Sequence, residues 1–382
     1  MNTINRPPLW LLTLLIMFPQ LVETIYSPAL PNIALTFNVS SERTAQTLSV
    51  YFVAFAIGVA LWGWLSDRIG RRLAMMFGLT CYGSGAVMAI VATDFNMLLL
   101  ARMLSALGAA AGSVVVQTML RDSYESTNLA RVFSIMGAAL AVSPVFGLVS
   151  GGWIVSIYGH IGVFIALSLL AILLLVLTAF MLPETRPLNT ITPRMGCLAV
   201  RMACDSSLWR NAMLVSLFNA MIFSYYSLAP FLFEQLGWGA RAFGWTGLLL
   251  AIASLSGSLL NRKLLVTGLE PAQLVRHACS LALLSSLVAW SLQNSPWILM
   301  PVTGVVVAYG IAIPNILSNA LRHYREQAGT AGALFGLTYY LLLGVMLGVA
   351  GLVQQLGLVL TACALTAWLC KPLRVSELAT TP

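Results

Sequence analysis

Long apolar blocks constrain the fold of this chain more than any other feature of its sequence. About twelve such blocks follow one another, each about 20 residues long, the length that a helix needs to cross the hydrocarbon core of a bilayer. Only 8% of the residues are charged, against about 25% in soluble domains. No strand-like alternation is visible, so the sequence predicts an all-α integral membrane protein. The predicted helices cover residues 9–30, 44–65, 73–93, 96–119, 132–156, 160–182, 210–233, 242–261, 273–293, 297–320, 329–350 and 353–370.

The basic residues indicate the orientation of these helices. With a cytoplasmic N-terminus, every Lys and Arg except Arg43, Arg102 and Arg241 falls on the cytoplasmic side. This bias follows the positive-inside rule and predicts that both termini are cytoplasmic. The net charge of +8 is therefore a sign of topology, and we infer no nucleic-acid partner from it. No small-residue cleavage site follows the first apolar block, so we expect it to remain as helix 1.

The longest polar connection, residues 183–209, divides the chain near its middle. We predict an N-terminal six-helix bundle (1–182), a cytoplasmic linker (183–209) and a C-terminal six-helix bundle (210–382). A six-plus-six duplication is the plan of transporters that bind substrate between their halves. Three faint repeats relate the halves: YSPALP (26–31) with YSLAPF (226–231), GWLSDR (63–68) with GSLLNR (257–262), and VFGL (145–148) with LFGL (334–337).

The sequence offers little for catalysis. It has no GxxxxGK[ST] motif, because Lys263 and Lys371 are its only lysines, and its three histidines form no HExxH pair. Its cysteines show neither zinc spacing nor a disulfide framework. We therefore expect no cofactor and no metal site, and we do not expect an enzyme.

One carboxylate, Glu23, falls at membrane depth, in the stretch LIMFPQLVETIYSPALP. Glu23 shares a helical face with Thr13, Gln20 and Ser27, and such a polar stripe must face protein or water instead of lipid. A buried carboxyl that binds and releases a proton suits a proton-coupled carrier. The alternative is a permanently protonated glutamic acid with a structural or substrate-contact role.

Arg102 is the only basic residue at membrane depth, about two turns into helix 4, with Ser113 and Gln117 near its face. It does not deprotonate, so it needs a carboxylate, carbonyl groups or an anionic substrate as partner. A role as a structural hydrogen-bond hub is the alternative.

Polar and aromatic residues on several helices are candidates for a substrate cavity. An aromatic, lightly polar cavity suits amphipathic organic compounds, although membrane aromatics are more often packing or interfacial residues. The predicted cavity residues are Gln20, Tyr26, Gln117, Asn219, Phe223, Tyr226, Asn315 and Tyr339. Similar candidates are Tyr51, Phe55, Tyr309 and Tyr340.

The stretch GWLSDRIGRR (63–72) falls in the loop predicted between helices 2 and 3. It resembles the loop signature of the major facilitator superfamily, G-x-L-[SA]-D-R-x-G-R-[RK]. The resemblance implies a cytoplasmic latch between helix ends that governs the outward-facing state. The alternative is a positive-inside cluster with a turn glycine. The matching residues are Gly63, Asp67, Arg68, Gly70, Arg71 and Arg72.

Two further stretches resemble signatures of this family. ARMLSALGAAAG (101–112) is similar to the helix 4 signature, which implies that Arg102 stands in the place associated with proton transfer. VSPVFGLVSGG (142–152) is similar to the helix 5 antiporter signature, whose proline and glycines bend and seal that helix. The matching residues of helix 5 are Pro144, Gly147, Gly151 and Gly152.

Three other stretches make the chain similar to the bicyclomycin/chloramphenicol-resistance (Bcr/CflA) branch of drug:proton antiporters: TIYSPALP in helix 1, LRDSY at 120–124 and LPETRP at 182–187. The chain departs from that branch at Thr24, where members often have an acid. It departs again in helix 5, with Leu148 in place of a second proline and Ser143 in place of a glycine. A coupling role therefore does not transfer directly to Glu23, since one residue turns a helix by about 100°.

Together, the residues and the resemblance predict a monomeric carrier of a bacterial inner membrane with the twelve-helix major facilitator fold. We expect it to export small amphipathic organic substrates, including antibiotics, in exchange for protons, by alternating access within the lipid bilayer. The alternatives are a dedicated exporter of one metabolite, such as a siderophore, and a proton symporter that imports a small metabolite. A membrane enzyme, a receptor or a channel fits the sequence less well, since the chain has duplicated halves and no catalytic cluster.

Overall fold

The computed structural model describes residues 7–124, 126–187, 195–322, 324 and 328–371, and every regular element among them is a helix. Four of the basic residues that support the predicted orientation lie outside the described residues, as do both chain ends and residues 188–194 of the predicted linker. These four are Arg6, Arg194, Arg325 and Arg374.

Six helices form the N-terminal half. The first contains a 3₁₀ turn at Ser27–Ala29, where Pro28 removes a backbone donor. A single helical segment, Ser126–Met181, is broken at Gly159, whose φ of 65° ends one helix and starts the next. The helices are α1 (Leu9–Thr36), α2 (Ser41–Ile69), α3 (Arg71–Ile90), α4 (Phe95–Ser123), α5 (126–158) and α6 (160–181).

Six more helices form the C-terminal half, after a short linker helix at Met195–Ala203. Asp205 caps the first of them by accepting the backbone N–H groups of Ser207 and Leu208. The helices are α7 (Ser206–Gln235), α8 (Ala240–Val266), α9 (Pro271–Ser291), α10 (Leu299–Ala320), α11 (Ala328–Val353) and α12 (Leu356–Leu369).

The prediction of twelve membrane helices is confirmed. Ten segments of the described chain are long and apolar enough to span a bilayer, and one of them, Arg131–Met181, has 51 residues and contains the break between α5 and α6. The last helix, Leu356–Leu369, is shorter, with 14 residues. It starts later than the predicted residue 353, because Gln354 has a positive φ of 54°.

The predicted loop between α2 and α3 is wrong in its extent. Helix α2 continues to Ile69 and α3 begins at Arg71, so Gly70 alone separates them. The apolar blocks mark the hydrocarbon region, whereas the helices extend beyond it into polar sequence.

The same hydrogen bond occurs twice, 199 residues apart. The Tyr26 hydroxyl bonds to the Thr47 hydroxyl at 3.1 Å, joining α1 to α2. The Tyr225 hydroxyl bonds to the Thr246 hydroxyl at 2.8 Å, joining α7 to α8. Each threonine in turn donates to the backbone carbonyl three residues before it. This correspondence is what a duplicated six-helix unit predicts, and it aligns Tyr26 with Tyr225.

The two halves meet mainly where α2 packs on α11 and α5 packs on α8. Close contacts lie in the helix halves remote from the termini: Ser49 donates to the Gly344 carbonyl at 2.7 Å. Gly152 lies against the Ala240 carbonyl, and Ser27 donates to the Tyr226 carbonyl. Among the described residues, these two hydrogen bonds between the halves therefore lie at the end of the molecule remote from the first residues of α1.

Candidate substrate and proton site

A cavity of about 480 Å³ lies between the two halves. Helices α1, α2, α4 and α5 line it on one side, and α7, α8, α10 and α11 line it on the other. Its wall is largely apolar and aromatic with a few amide and hydroxyl groups, as in sites for organic molecules. The predicted cavity residues in the wall are Gln20, Gln117, Asn219, Phe223, Tyr226 and Tyr339, together with Glu23.

Glu23 is the only Asp, Glu, Lys or Arg among the described residues that line the cavity. Its side chain is buried, with 6% of its surface exposed. A carboxyl in this position can hold a proton, or can bind a cationic or hydrogen-bonding group of a ligand.

Close packing of α1 against α5 directs Glu23 into the cavity. A Cβ added at Gly147 would overlap the Thr24 side chain, and one at Gly151 would overlap the Ile25 carbonyl. Thr24 itself donates to the Gln20 carbonyl at 2.9 Å. Thr24 therefore faces α5, and Glu23, one residue earlier, faces the cavity.

Arg102 does not line the cavity, whereas Ser113 and Gln117 of the same helix do. Its guanidinium carbon lies 3.9 Å from the centre of the Tyr26 ring and 4.4 Å from that of Tyr51. It forms no ion pair within 4.0 Å, because the ion pairs found among the described residues are those of Arg71. Arg102 therefore contacts aromatic faces, and no carboxylate lies against it.

Two of the eight predicted cavity residues, and the similar candidate Tyr51, lie outside the wall. Tyr26 is fully buried between Arg102 and Thr47. Asn315 is buried on α10 and donates to the Asn261 side chain on α8 at 2.7 Å. Both residues stabilise contacts between helices, since their polar atoms are engaged within the protein.

Aromatic side chains from both halves meet at the cavity. Phe52 on α2 packs edge-on against Phe223 on α7, with 4.5 Å between ring centres. Phe55 packs similarly against Tyr340 on α11, at 4.8 Å. The sequence analysis missed Phe52, although its spacing of three residues from Phe55 places both on one helical face.

Asn219 adds a polar group to this wall. Its side-chain oxygen accepts the Tyr309 hydroxyl at 3.3 Å, and its amide donates to the Val215 carbonyl at 2.8 Å. The C-terminal half therefore contributes neutral hydrogen-bonding groups to the cavity.

In the GWLSDRIGRR stretch, Arg71 is the centre of a network of ion pairs and hydrogen bonds. Its guanidinium bonds Asp67 at 2.7 Å and Asp122 at 2.9 Å, which ties the end of α2 to the end of α4. It also donates to the Ser66 carbonyl at 2.8 Å. Arg71 is buried, whereas Asp67 remains partly exposed to water.

Glu184, which the sequence analysis did not select, caps α3. Its carboxylate accepts the backbone N–H of Arg71 at 2.9 Å and that of Arg72 at 3.1 Å. Gly70 has a φ of 99°, and a Cβ there would overlap the Glu184 carboxylate, so both the conformation and the contact require glycine. The stretch LPETRP, which contains Glu184, was noted in the sequence, but nothing near it indicated that Glu184 contacts the start of α3.

The other residues of the GWLSDRIGRR stretch make separate contacts. Arg68 stacks over the Trp64 ring at 3.9 Å, and its carbonyl accepts the Arg186 side chain at 2.6 Å. The Arg72 side chain donates to the Ala179 carbonyl. Gly63 faces α11, where an added Cβ would lie 3.8 Å from the side chain of Ala333.

The helix 5 residues divide between the cavity and the packing surfaces. Pro144 lines the cavity. Gly147 and Gly151 lie against α1, and Gly152 lies against α8, 3.1 Å from Gly244 when a Cβ is added. Helix α5 therefore packs on both α1 and α8 through its small residues.

Comparisons with known proteins agree with this architecture. The sequence profile of the Major Facilitator Superfamily matches residues 10–349. An uncharacterized transporter of Rickettsia bellii is 32% identical over 365 residues, which cover 91% of this chain and 90% of the relative. Multidrug resistance protein D of Escherichia coli is 24% identical over 95% of this chain and 94% of its own length. A bicyclomycin resistance protein homolog of Haemophilus influenzae is 26% identical over 88% of this chain and 87% of its own length.

A solved structure has the same fold. The crystal structure of a D-xylose-proton symporter superposes with a TM-score of 0.75 at 14% identity, covering 95% of this chain and 97% of the symporter.

Proposed function

Because the chain belongs to the Major Facilitator Superfamily, a family of membrane transporters, we propose that it exports amphipathic organic compounds, antibiotics among them, in exchange for protons. The observation that carries this proposal is the single carboxyl, Glu23, in an aromatic cavity between two helical halves. Relatives named for multidrug and bicyclomycin resistance support the same substrate class. The proposed location is a bacterial inner membrane, with the protein acting as a monomer.

The orientation follows from the basic residues. With both termini in the cytoplasm, the end at which these hydrogen bonds join the halves faces outward. The cavity of this state would then receive substrates from the cytoplasm. The N-terminal bundle (1–182) and the C-terminal bundle (210–382) would rock about the cavity, joined by the linker (183–209).

Glu23 would couple the two fluxes by binding either a proton or a substrate. A carboxylate attracts a cationic or hydrogen-bonding compound, and a proton on it removes that attraction. If each ligand weakens binding of the other, loading one favours release of the other. The Arg71 network, with Asp67 and Asp122, would latch the helix ends in one of the two states.

The cavity does not favour the alternative of a carrier for an anionic metabolite. Arg102, the only positive charge at membrane depth, lies on tyrosine rings outside the cavity wall. An anion in the cavity would meet Glu23 and no cationic side chain of the described wall. A neutral or cationic compound avoids this repulsion.

Inside-out vesicles with an acidic lumen test the proposal. Addition of candidate drugs or metabolites should release protons through the wild type and not through Glu23→Gln. Glu42→Gln is the matched control, because Glu42 is an exposed acid at the start of α2. If Glu23→Gln still exchanges protons, the coupling site lies elsewhere. If metabolites release protons and drugs do not, the metabolite carrier replaces the drug exporter.

A further inference from the structure

Arg102 is a buried cation without a conventional partner. Only 2% of its surface is exposed, and two of its nitrogens, Nε and Nη2, have no hydrogen-bond acceptor among the described residues. A guanidinium in this position ordinarily pairs with a carboxylate or with carbonyl groups, because leaving its donors unsatisfied is costly. Something else must therefore stabilise its charge.

Two tyrosine rings take that place. The centres of the Tyr26 and Tyr51 rings lie 3.9 and 4.4 Å from the guanidinium carbon, and both residues are fully buried. A cation over an aromatic face is attracted by the ring quadrupole, most strongly where water is excluded. The Tyr26 ring is held by its hydrogen bond to Thr47 and by contact with Phe164.

The carboxyl of Glu23, on α1 one helical turn before Tyr26, interacts electrostatically with Arg102. Glu23 lines the cavity, whereas Arg102 lies outside the cavity wall, against the rings. An ion pair between them would hold Glu23 in its charged form and prevent it from accepting a proton.

We propose that Tyr26 and Tyr51 are positioning residues that hold the Arg102 guanidinium away from Glu23 while the carboxyl is protonated. When Glu23 loses its proton, the guanidinium leaves the rings and pairs with the carboxylate. The rings and the carboxylate thus compete for one cation, and this competition sets the pH at which Glu23 exchanges its proton. The inference rests on the proposed role of Glu23 in coupling.

Groups on several other helices also surround Glu23. Helix α5 contributes Pro144 to the same cavity wall, and proline does not titrate. The charged or titratable groups that interact electrostatically with Glu23 are Arg102 on α4, Tyr51 on α2, Tyr82 on α3, Tyr226 on α7, and Tyr339 and Tyr340 on α11. Arg102 is the one cation in this set, so its position decides the balance.

Infrared spectroscopy of the purified protein in nanodiscs tests the proposal without requiring transport. The carboxyl band of protonated Glu23 is followed against pH and identified by its loss in Glu23→Gln. Removing a ring, in Tyr26→Leu or Tyr51→Leu, releases the guanidinium toward the carboxylate. The half-titration pH should then fall by about one unit, the scale of one desolvated cation–π contact.

Two matched variants separate the ring from general packing. Tyr26→Phe keeps the ring and loses only the bond to Thr47, so its titration should match the wild type. Tyr225→Leu removes an equally buried tyrosine with the equivalent threonine bond in the other half, but no guanidinium of the described residues lies over the Tyr225 ring. This variant should also titrate as the wild type does.

If both leucine variants have the half-titration pH of the wild type, the proposal is wrong. It is also wrong if Tyr225→Leu lowers the half-titration pH by the same amount. If the leucine variants do not fold, fluorinated phenylalanines at position 26 keep the ring shape and weaken its attraction for a cation. The half-titration pH should then fall stepwise with fluorination, and a constant value would overturn the proposal. A wild type that titrates normally but releases no protons with any compound would refute the proposed function alone.

Discussion

The carboxylate of Glu184, just after α6, accepts the backbone N–H of Arg71 at the first residue of α3, 2.9 Å away. This bond joins residues 113 positions apart. It places a negative charge at the positive end of the α3 dipole, where a helix would otherwise have unsatisfied N–H groups. The beginning of α3 is therefore fixed to the end of α6, and the Arg71 network depends on that position.

Removing this cap should destabilise the protein. Glu184→Ala leaves the N–H groups of Arg71 and Arg72 without their acceptor, and we expect a loss of about 1–2 kcal/mol of stability. Glu184→Gln keeps one acceptor oxygen and should lose less. The measurement is the thermal unfolding midpoint in detergent. Glu270→Ala, which removes the exposed cap of α9, is the comparison, and an equal loss there would argue against a special role for the contact between α3 and α6.

Arg71 should tolerate no neutral replacement. Arg71→Leu leaves Asp67 and Asp122 facing each other without their shared cation, which we expect to cost about 3–5 kcal/mol for a buried pair. Discounting the partly exposed Asp67 brings this toward the lower end. Arg71→Lys, which cannot bridge both carboxylates with the same geometry, should be intermediate. Arg68→Gln is the control, because Arg68 is exposed. If Arg71→Leu is as thermally stable as Arg68→Gln, the prediction is wrong.

The glycines of α5 should differ sharply in their response to alanine. Gly151→Ala places a methyl group against the Ile25 backbone, which cannot move without displacing α1, so expression and thermal stability should fall. Gly137→Ala on the same helix meets no atom within 4 Å and should be neutral or stabilising by up to about 1 kcal/mol. Gly147→Ala meets the Thr24 side chain first and also the Leu21 carbonyl, so adding Thr24→Ala should recover part of its loss but not all of it. Equal behaviour of Gly151→Ala and Gly137→Ala would refute this packing account.

Phe223 should favour aromatic substrates. Phe223→Leu keeps apolar volume in the cavity but removes a ring, so binding of aromatic compounds should weaken about five-fold, from a loss of about 1 kcal/mol. Binding of aliphatic compounds should change little. Phe231→Leu, on the same helix but outside the cavity wall, is the control. Fluorescence titration of the purified protein gives both affinities, and equal weakening for both compound classes would exclude a specific aromatic contact.

The orientation can be tested with a native cysteine. Cys204 is exposed, directly after the linker helix. With both termini cytoplasmic, a membrane-impermeant maleimide should label it in inside-out vesicles and not in intact cells. Cys204→Ser identifies its share of the labelling. Preferential labelling in intact cells would reverse the proposed orientation.

Most of the fold could be predicted from the sequence, because bilayer-spanning length and charge asymmetry are local properties of the chain. Helix ends were harder to predict, as the continuation of α2 and α3 to either side of Gly70 shows. The position of Arg102 on two tyrosine rings could not be predicted. It depends on how three separate helices pack, and nothing in the sequence around Tyr26 or Tyr51 indicates that their rings face α4. Glu184 was missed for the same reason, since its partners lie in a different part of the chain.

The repeated tyrosine–threonine bond also reveals an asymmetry. In the register that aligns Tyr26 with Tyr225, the counterpart of Glu23 is Ile222, and the counterpart of Tyr51 is Leu250. Both counterparts line the cavity, and both are aliphatic. The N-terminal half thus provides the carboxyl of the cavity wall, while the corresponding positions of the C-terminal half provide aliphatic surface. Under the proposed mechanism, mutations at these C-terminal positions would change which compounds are accepted and leave the proposed proton site at Glu23 unchanged.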